Sequence, residues 1–235
     1  MIKNKILISS VAIVCLIAVV YFTFNEPTEN KEELILYTMN DLNDSGSQVI
    51  LEMDSNIIDV SLEELTLGDP NAPITIIEYA SMTCSHCAEF HNKTYPDLKK
   101  NHIDTGEVKF IFREFPLDKL AMATSMLARC VDNEISMAFI EILFKNRDRW
   151  ISENALNELK NFSKQAGLDS NEFDACLNNQ QLLDDLIAGK EKAIEDYKIN
   201  STPSFIINGE VVSGNKPYSF FESKIEQILA KYKGA

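Results

Sequence analysis

The feature that most constrains this fold is the apolar run at residues 74–80, ITIIEYA, together with the Cys-x-x-Cys that follows it. β-Branched residues dominate the run and a cluster of turn-forming residues precedes it, which predicts a buried β-strand. Cys84 lies at the end of this strand, and residues 89–101 carry a helical pattern that Pro96 bends or interrupts. Residues 108–115, VKFIFREF, predict a second strand. Strand, helix and strand in this order indicate a βαβ unit with a parallel sheet.

A long helical region separates this unit from a second group of strands. Apolar side chains three and four positions apart predict helices over residues 120–131, 135–144, 153–166, 172–177 and 180–197. Strand signals return at residues 204–207 and 211–213, and the Asn-Gly pair between them is a strong hairpin signal. Pro217 suits the first position of a last helix. The pattern predicts an α/β sheet domain that is split by a helical insertion.

The first 25 residues differ from the rest of the chain. Lys3 and Lys5 precede an uncharged apolar run of 19 residues, 6–24, after which the sequence becomes polar, as is typical of an export signal. The run is just long enough to span a bilayer and lacks a clear cleavage site, so a cleaved signal and a retained membrane anchor both remain open. In either case residues after 25 are expected on the outer side of the membrane, the periplasm, where thiols can oxidise. Residues 26–56 are interpreted as a polar linker.

The charge of the chain excludes one class of partner. Asp and Glu number 36 and Lys and Arg 22, which gives a formal net charge of −14. Such a surface repels phosphate backbones, so nucleic-acid binding is not expected.

The cysteines point to redox chemistry. Of five cysteines, Cys15 lies in the export segment, and Cys84-Ser85-His86-Cys87 lies between a predicted strand and a predicted helix. A cysteine at a helix N-terminus has a stabilised thiolate, because backbone N–H groups and the positive end of the helix dipole face it. Cys84 is therefore the expected attacking sulfur and Cys87 the resolving one, and His86 can add a positive charge or a hydrogen bond to the Cys84 thiolate.

Two other interpretations of the cysteine pair are less well supported by its sequence context. A structural disulfide over so short a loop removes little chain entropy and so stabilises little. A zinc site with His91 as third ligand lacks a nearby fourth ligand. His91 is otherwise expected to pack on a helix face or contact solvent, and His102 is expected to be an exposed loop residue.

In combination these motifs resemble the DsbA-like branch of the thioredoxin superfamily. Four features carry the resemblance: the Cys-Ser-His-Cys motif, the strand with Glu78 six positions before Cys84, Thr202-Pro203 before a strand and hairpin, and the helical block between the two halves. The resemblance covers about residues 57–235. It implies a thioredoxin-like fold formed by residues 57–118 and 198–235, with a helical subdomain inserted at 119–197.

The resemblance also implies roles for two residues, and the expected burial of the strand suggests one for Glu78. Pro203 is expected to be a cis-proline beside the sulfurs, with Thr202 offering backbone groups to an extended substrate; otherwise Pro203 simply begins a strand. Glu78 is hypothesised to handle the proton of Cys87 through water, the alternative being that it points outward at a strand end.

Two features depart from the family pattern. Ser85 replaces the usual proline between the cysteines, so redox strength does not carry over. Cys130 and Cys176, 46 residues apart on two predicted helices, are predicted to form a second disulfide; the alternative is two separate buried thiols that pack as small apolar residues.

The resemblance implies a dithiol oxidase. Its clients would be unfolded exported proteins with free cysteines, and a membrane reoxidant resembling the quinone-linked DsbB type would restore the Cys84–Cys87 disulfide. An isomerase or reductant of the same compartment is the alternative, and a holdase or adhesion-like module with purely structural cysteines is a third hypothesis. No glycine-rich phosphate loop is present, and no metal, nucleotide or flavin cofactor is expected beyond the redox-active disulfide.

Overall fold

A computed structural model describes residues 62–233, which form a mixed sheet covered by helices. The strands are β1 (Leu65–Leu67), β2 (Ile74–Ala80), β3 (Val108–Glu114), β4 (Ser204–Ile207) and β5 (Glu210–Ser213). Their order across the sheet is β1-β3-β2-β4-β5. β2 runs parallel to β3, as predicted, and antiparallel to β4.

Nine α-helices are described in this part of the chain. They are α1 (Ser85–Lys93), α2 (Tyr95–Leu98), α3 (Lys119–Cys130), α4 (Asn133–Lys145), α5 (Arg147–Trp150), α6 (Ala155–Gln165), α7 (Ser170–Leu177), α8 (Gln180–Tyr197) and α9 (Tyr218–Lys233). A π-helical segment, Lys99–Ile103, follows α2 directly.

The centre of the sheet is β2, which strands flank on both edges, and its side chains are buried or half-buried beneath the elements that cover the sheet. Ile76 pairs with Phe110 of β3 on one side and with Ile207 of β4 on the other, and all three are fully buried or nearly so. β-Branched and aromatic residues suit such a pleated, covered surface. The strand predicted at 74–80 is confirmed with the same bounds.

The turns around the sheet follow from glycine chemistry. Gly68, between β1 and β2, has φ +91°, and a Cβ there would lie 2.4 Å from the Val108 carbonyl oxygen, so only glycine fits. Asn208 and Gly209 have φ values of 46° and 90°, the left-handed conformations that a tight hairpin turn requires. The predicted hairpin is thereby confirmed.

The helical region lies between β3 and β4, and three of its helices begin at acidic capping residues. The Asp118 carboxylate accepts a hydrogen bond from the Ala121 N–H at the start of α3, and Asp169 and Glu172 form a capping box at the start of α7. The five predicted helices are all present, with ends that differ by at most a few residues. The predicted fold class, a thioredoxin-like α/β fold with a helical insertion, is confirmed.

Three local predictions differ from the structure. β1 and α5 were not predicted, because three- and four-residue elements carry too little periodicity to stand out. The helical pattern at 89–101 begins earlier, at Ser85, and breaks at Thr94. Pro96 lies in the first turn of α2, where its missing N–H costs nothing.

His102 was expected to be exposed, and this was wrong. Its side chain is buried in the π-helical segment, with Nδ1 2.8 Å from Glu107 Oε2 and Nε2 3.0 Å from the Tyr218 hydroxyl. These contacts join the segment to α9, which sequence spacing alone does not show.

The predicted export segment at 1–25 and the linker at 26–56 lie outside the described residues. Within residues 62–233 no helix is long and apolar enough to cross a membrane.

Candidate active site

Cys84 lies where the chain leaves the sheet and enters α1. It is the N-cap residue of that helix, and its backbone N–H donates to the Ser81 carbonyl oxygen at 3.1 Å. No side chain caps the helix N-terminus from this position. The half-buried Cys84 sulfur therefore lies at the positive end of α1, where a thiolate is stabilised.

The surroundings of Cys84 lower its pKa to about 5. The largest cause is a hydrogen bond from the Cys87 side chain, which burial opposes. The backbone N–H groups of Cys87 and His86 lower the pKa further. A thiol with this pKa is almost wholly thiolate at neutral pH.

Cys87 is the opposite case, although it lies three residues away on the same helix. It is fully buried, and burial is the main cause that raises its pKa far above that of an ordinary thiol. The hydrogen bond to Cys84 and the negative charges of Glu78 and Cys84 raise it further. The two free thiols thus form an asymmetric pair with one accessible thiolate and one protected thiol.

Thr202 and Pro203 lie beside this pair, 118 residues from Cys84 in the chain. The peptide bond between them is cis, as the resemblance implied. Cys84 Sγ lies 3.4 Å from the Thr202 carbonyl oxygen, to which the thiol form donates a hydrogen bond. Both residues are buried at the start of β4.

Glu78 lies inside β2 with no exposed surface, which excludes the alternative that it points outward. Its Oε2 lies 2.8 Å from Nε2 of His91, whose side chain is 1% exposed. The expectation that His91 packs on a helix face or contacts solvent was therefore incomplete, because it is a buried partner of Glu78. The signal for it was the four-residue spacing from Cys87, which places both side chains on the core-facing side of α1.

His86 faces solvent at the start of α1. Its side chain is 70% exposed, and Nδ1 lies 3.9 Å from Glu89 Oε2. The contribution of His86 that lowers the pKa of Cys84 comes from its backbone N–H.

The loop before Cys84 is held by two residues that the sequence did not indicate. Arg147 of α5 donates two hydrogen bonds to the Thr83 carbonyl oxygen, at 3.0 Å from Nε and 2.7 Å from Nη2. The Thr83 hydroxyl donates to Asp118 Oδ2 at 2.5 Å. Both partners belong to the helical region, so that region supports the reactive loop from one side.

The other two cysteines of the described chain are joined to each other. Cys130 at the end of α3 and Cys176 near the end of α7 form a disulfide with an S–S distance of 2.02 Å. Among residues 62–233 no cluster of three or more His, Cys, Asp or Glu side chains could hold a metal ion.

Comparison with known proteins gives a family for this geometry. The family described as Thioredoxin matches residues 61–227. A Rickettsia felis protein named "Putative protein-disulfide oxidoreductase" is 31% identical over 172 residues, which are 72% of this chain and 62% of that protein. The chain belongs to the DsbA-like branch of the thioredoxin family.

Solved structures agree with this family. The crystal structure of Wolbachia pipientis alpha-DsbA1 matches with a TM-score of 0.68 and 33% identity, over 72% of this chain and 92% of that one. Oxidised BdbD from Bacillus subtilis matches with a TM-score of 0.64 and 22% identity, over 71% of this chain and 93% of that one, a likeness of fold. DsbA-like proteins of this family use their own cysteine pair as the redox group. The chain spans less than two thirds of the length of the Rickettsia felis relative.

Proposed function

We propose that this protein is a dithiol oxidase that introduces disulfide bonds into exported proteins. The observation that carries the proposal is the asymmetry of the cysteine pair, in which the pKa of Cys84 is lowered to about 5 while burial raises that of Cys87. Stabilising the Cys84 thiolate stabilises the dithiol form, and this makes the corresponding disulfide a stronger oxidant.

The proposed reaction is a pair of thiol–disulfide exchanges. A client thiolate attacks Cys84 Sγ of the Cys84–Cys87 disulfide, and Cys87 leaves as a thiolate that takes up a proton. A second client thiolate then attacks the client sulfur of the mixed disulfide. The client disulfide forms, and Cys84 departs as the stabilised thiolate.

The neighbouring residues suit this reaction. Thr202 offers its backbone beside Cys84 to an extended client segment, and cis-Pro203 shapes that edge of the site. His86 adds positive charge near Cys84 when it is protonated. Glu78, whose charge acts on Cys87, exchanges the proton of the buried sulfur through water.

The setting we propose is the periplasm, reached through the N-terminal segment as a cleaved signal or a membrane anchor. The clients are unfolded exported proteins with free cysteines. Because each turnover leaves two electrons on Cys84 and Cys87, a DsbB-like membrane partner must remove them.

The reduction potential of the Cys84–Cys87 pair tests this function. The full chain is equilibrated in glutathione buffers, trapped by differential alkylation, and the peptide that carries both cysteines is quantified by mass spectrometry. The Cys130–Cys176 disulfide then need not be removed, because it lies on other peptides. A value toward the oxidising end, near about −120 mV, supports an oxidase, whereas one near about −270 mV favours a reductant or isomerase and contradicts the proposal.

A further inference from the structure

A buried contact between a glutamate and a histidine lies close to the cysteine pair. Glu78 projects from β2 and His91 from α1, and Oε2 and Nε2 are 2.8 Å apart, with side-chain exposures of 0% and 1%. The His91 ring stacks on Phe144 of α4, with ring centroids 4.2 Å apart and an interplanar angle of 17°. Packing therefore holds the imidazole in one orientation toward the carboxyl group.

The hydrogen bonding of this pair indicates where its proton lies. Neither Glu78 Oε1 nor His91 Nδ1 has a hydrogen-bond partner among the described residues. A buried N–H without an acceptor is rarer in proteins than an under-used acceptor. The geometry therefore favours a proton on Nε2 that is donated to an ionised carboxylate, with Oε1 open to receive another proton.

The other ionisable groups described around the pair form no hydrogen bond to Glu78 Oε1. From α1, the Cys87 thiol is exposed to the negative charges of both Glu78 and Cys84, which raise its pKa. From α2, the Tyr95 hydroxyl donates to Glu141 Oε1 of α4 at 3.0 Å. Burial and the Glu141 charge raise the pKa of Tyr95, so this phenol keeps its proton.

The other aromatic rings packed around His91 are apolar. The rings within about 6 Å of it, apart from Tyr95, belong to Phe90, Phe112 and Phe144. In such surroundings a carboxyl group with no partner keeps its proton, because an isolated buried charge is costly. A carboxyl group that already holds a proton cannot accept a second one from a thiol.

We propose that His91 is a positioning residue that keeps the Glu78 carboxylate ionised, so that Glu78 can take up and return the proton of Cys87. The inference rests on the function proposed above and deepens it. In the resolving direction, the proton passes from Cys87 Sγ to Glu78 Oε1. The electron pair left on Cys87 forms the bond to Cys84, and the sulfur that was bonded to Cys84 leaves as a thiolate.

The reverse direction is the oxidase step. A client thiolate bonds to Cys84 Sγ as the Cys84–Cys87 bond breaks, Cys87 Sγ keeps the electron pair of the broken bond, and the proton returns to it from Glu78 Oε1. In both directions the proton transfer moves one negative charge between Glu78 and Cys87 Sγ, so the transfer by itself does not change the net charge of the buried site. This avoids creating an additional buried charge, which is the costly event in an apolar interior.

The experiment follows the step that needs the Cys87 thiolate. The reduced full chain is mixed with oxidised glutathione, quenched in acid, and the glutathione mixed disulfide at Cys84 is followed by mass spectrometry. His91→Phe keeps an aromatic ring on Phe144 but removes both nitrogens. We expect its mixed disulfide to decay about tenfold or more slowly than that of the wild type near neutral pH, while its formation is unchanged.

The pH profile separates this role from a structural one. Between about pH 7 and about pH 9, where buried carboxyl groups lose their protons, the decay rate in His91→Phe should recover toward that of the wild type. Glu78→Gln has no carboxyl group and should stay slow over this range. His91→Gln, whose amide can donate to Glu78, should restore at least part of the rate near neutral pH.

A second buried histidine provides the matched control. His102 also contacts a glutamate at 2.8 Å, but it precedes β3, which starts beside Ile74 at the end of β2 opposite to Cys84. His102→Phe should leave the decay of the mixed disulfide unchanged.

Several outcomes would overturn the inference. The inference is wrong if the mixed disulfide of His91→Phe decays at the wild-type rate, or if its slow decay does not recover as the pH rises. It is also wrong if His102→Phe slows the decay equally. None of these results would affect the oxidase proposal. Unchanged rates in Glu78→Gln would remove the role of Glu78 and with it that of His91. A thioredoxin-like reduction potential would instead overturn the proposed function, whatever these variants do.

Discussion

Cys84 and Cys87 stand three residues apart at a strand–helix junction, whereas Cys130 and Cys176 stand 46 residues apart and lie at the C-terminal ends of α3 and α7. The first sulfur of one pair faces the positive end of a helix, which favours a thiolate. The sulfurs of Cys130 and Cys176 lie near the negative ends of their helices, which do not stabilise a thiolate. The same side chain is thus reactive in one region and structural in the other.

Loop length adds to this contrast. A bridge between Cys84 and Cys87 closes a very short loop and constrains the unfolded chain little, so its formation can be reversed at little cost to the fold. A bridge over 46 residues removes much more freedom from the unfolded chain. We therefore expect the first pair to govern activity and the second to govern stability.

The largest expected effect is the loss of thiol exchange in Cys84→Ser. The serine hydroxyl is not ionised at neutral pH, so no attacking group remains. Reduction of a model disulfide by the full chain, followed spectroscopically, should fall to background while the circular dichroism spectrum is retained. The assignment of the two pairs would be reversed if activity survived in Cys84→Ser but was lost when Cys130 and Cys176 were both replaced.

The second effect concerns stability. Replacing Cys130 and Cys176 together by alanine should lower the free energy of unfolding by about 3 to 4 kcal/mol, as expected for a loop of this length. Urea unfolding of the oxidised full chain measures it, with Cys84→Ser/Cys87→Ser as the matched control. A larger loss in that control would contradict the expectation that the short bridge stabilises little.

The third effect is the pH dependence of alkylation in the dithiol form. Because the pKa of Cys84 is lowered to about 5, its reaction with iodoacetamide should be independent of pH above neutrality. Below about pH 5 it should slow by about tenfold per pH unit, as the thiolate is protonated. Mass spectrometry without reductant should find label on Cys84 but not on Cys87, Cys130 or Cys176. A rate that still rises between about pH 7 and pH 9 would indicate an ordinary thiol.

The smallest expected effect tests whether the helical region only supports the fold. Arg147→Ala removes two charged hydrogen bonds to the Thr83 carbonyl oxygen, beside Cys84. We expect a loss of about 1.5 to 3 kcal/mol in stability and a several-fold slower attack by Cys84, measured by stopped flow. Arg149→Ala is the control on the same helix, because Arg149 is more exposed and contacts Glu158 and the Phe162 ring, which belong to α6 and not to the reactive loop. Equal effects of the two changes would deny Arg147 a special role at the reactive loop.

Much of this architecture could be predicted from local sequence. The β2 strand, the long helices and the β4–β5 hairpin follow from apolar periodicity and from one Asn-Gly pair, which act within a few residues. The position of Cys84 at the strand–helix junction follows from the same patterns.

Only the tertiary structure decided which residues far apart in the chain contact each other. The spacing of Cys87 and His91 puts both on one side of α1, but only packing against β2 shows that this side faces Glu78. Arg147 reaches Thr83 from 64 residues away, and Thr202 reaches Cys84 from 118. Sequence periodicity reports which face of an element is apolar, whereas the partner of a buried polar group depends on how the elements pack, because burial makes an unpaired polar group costly.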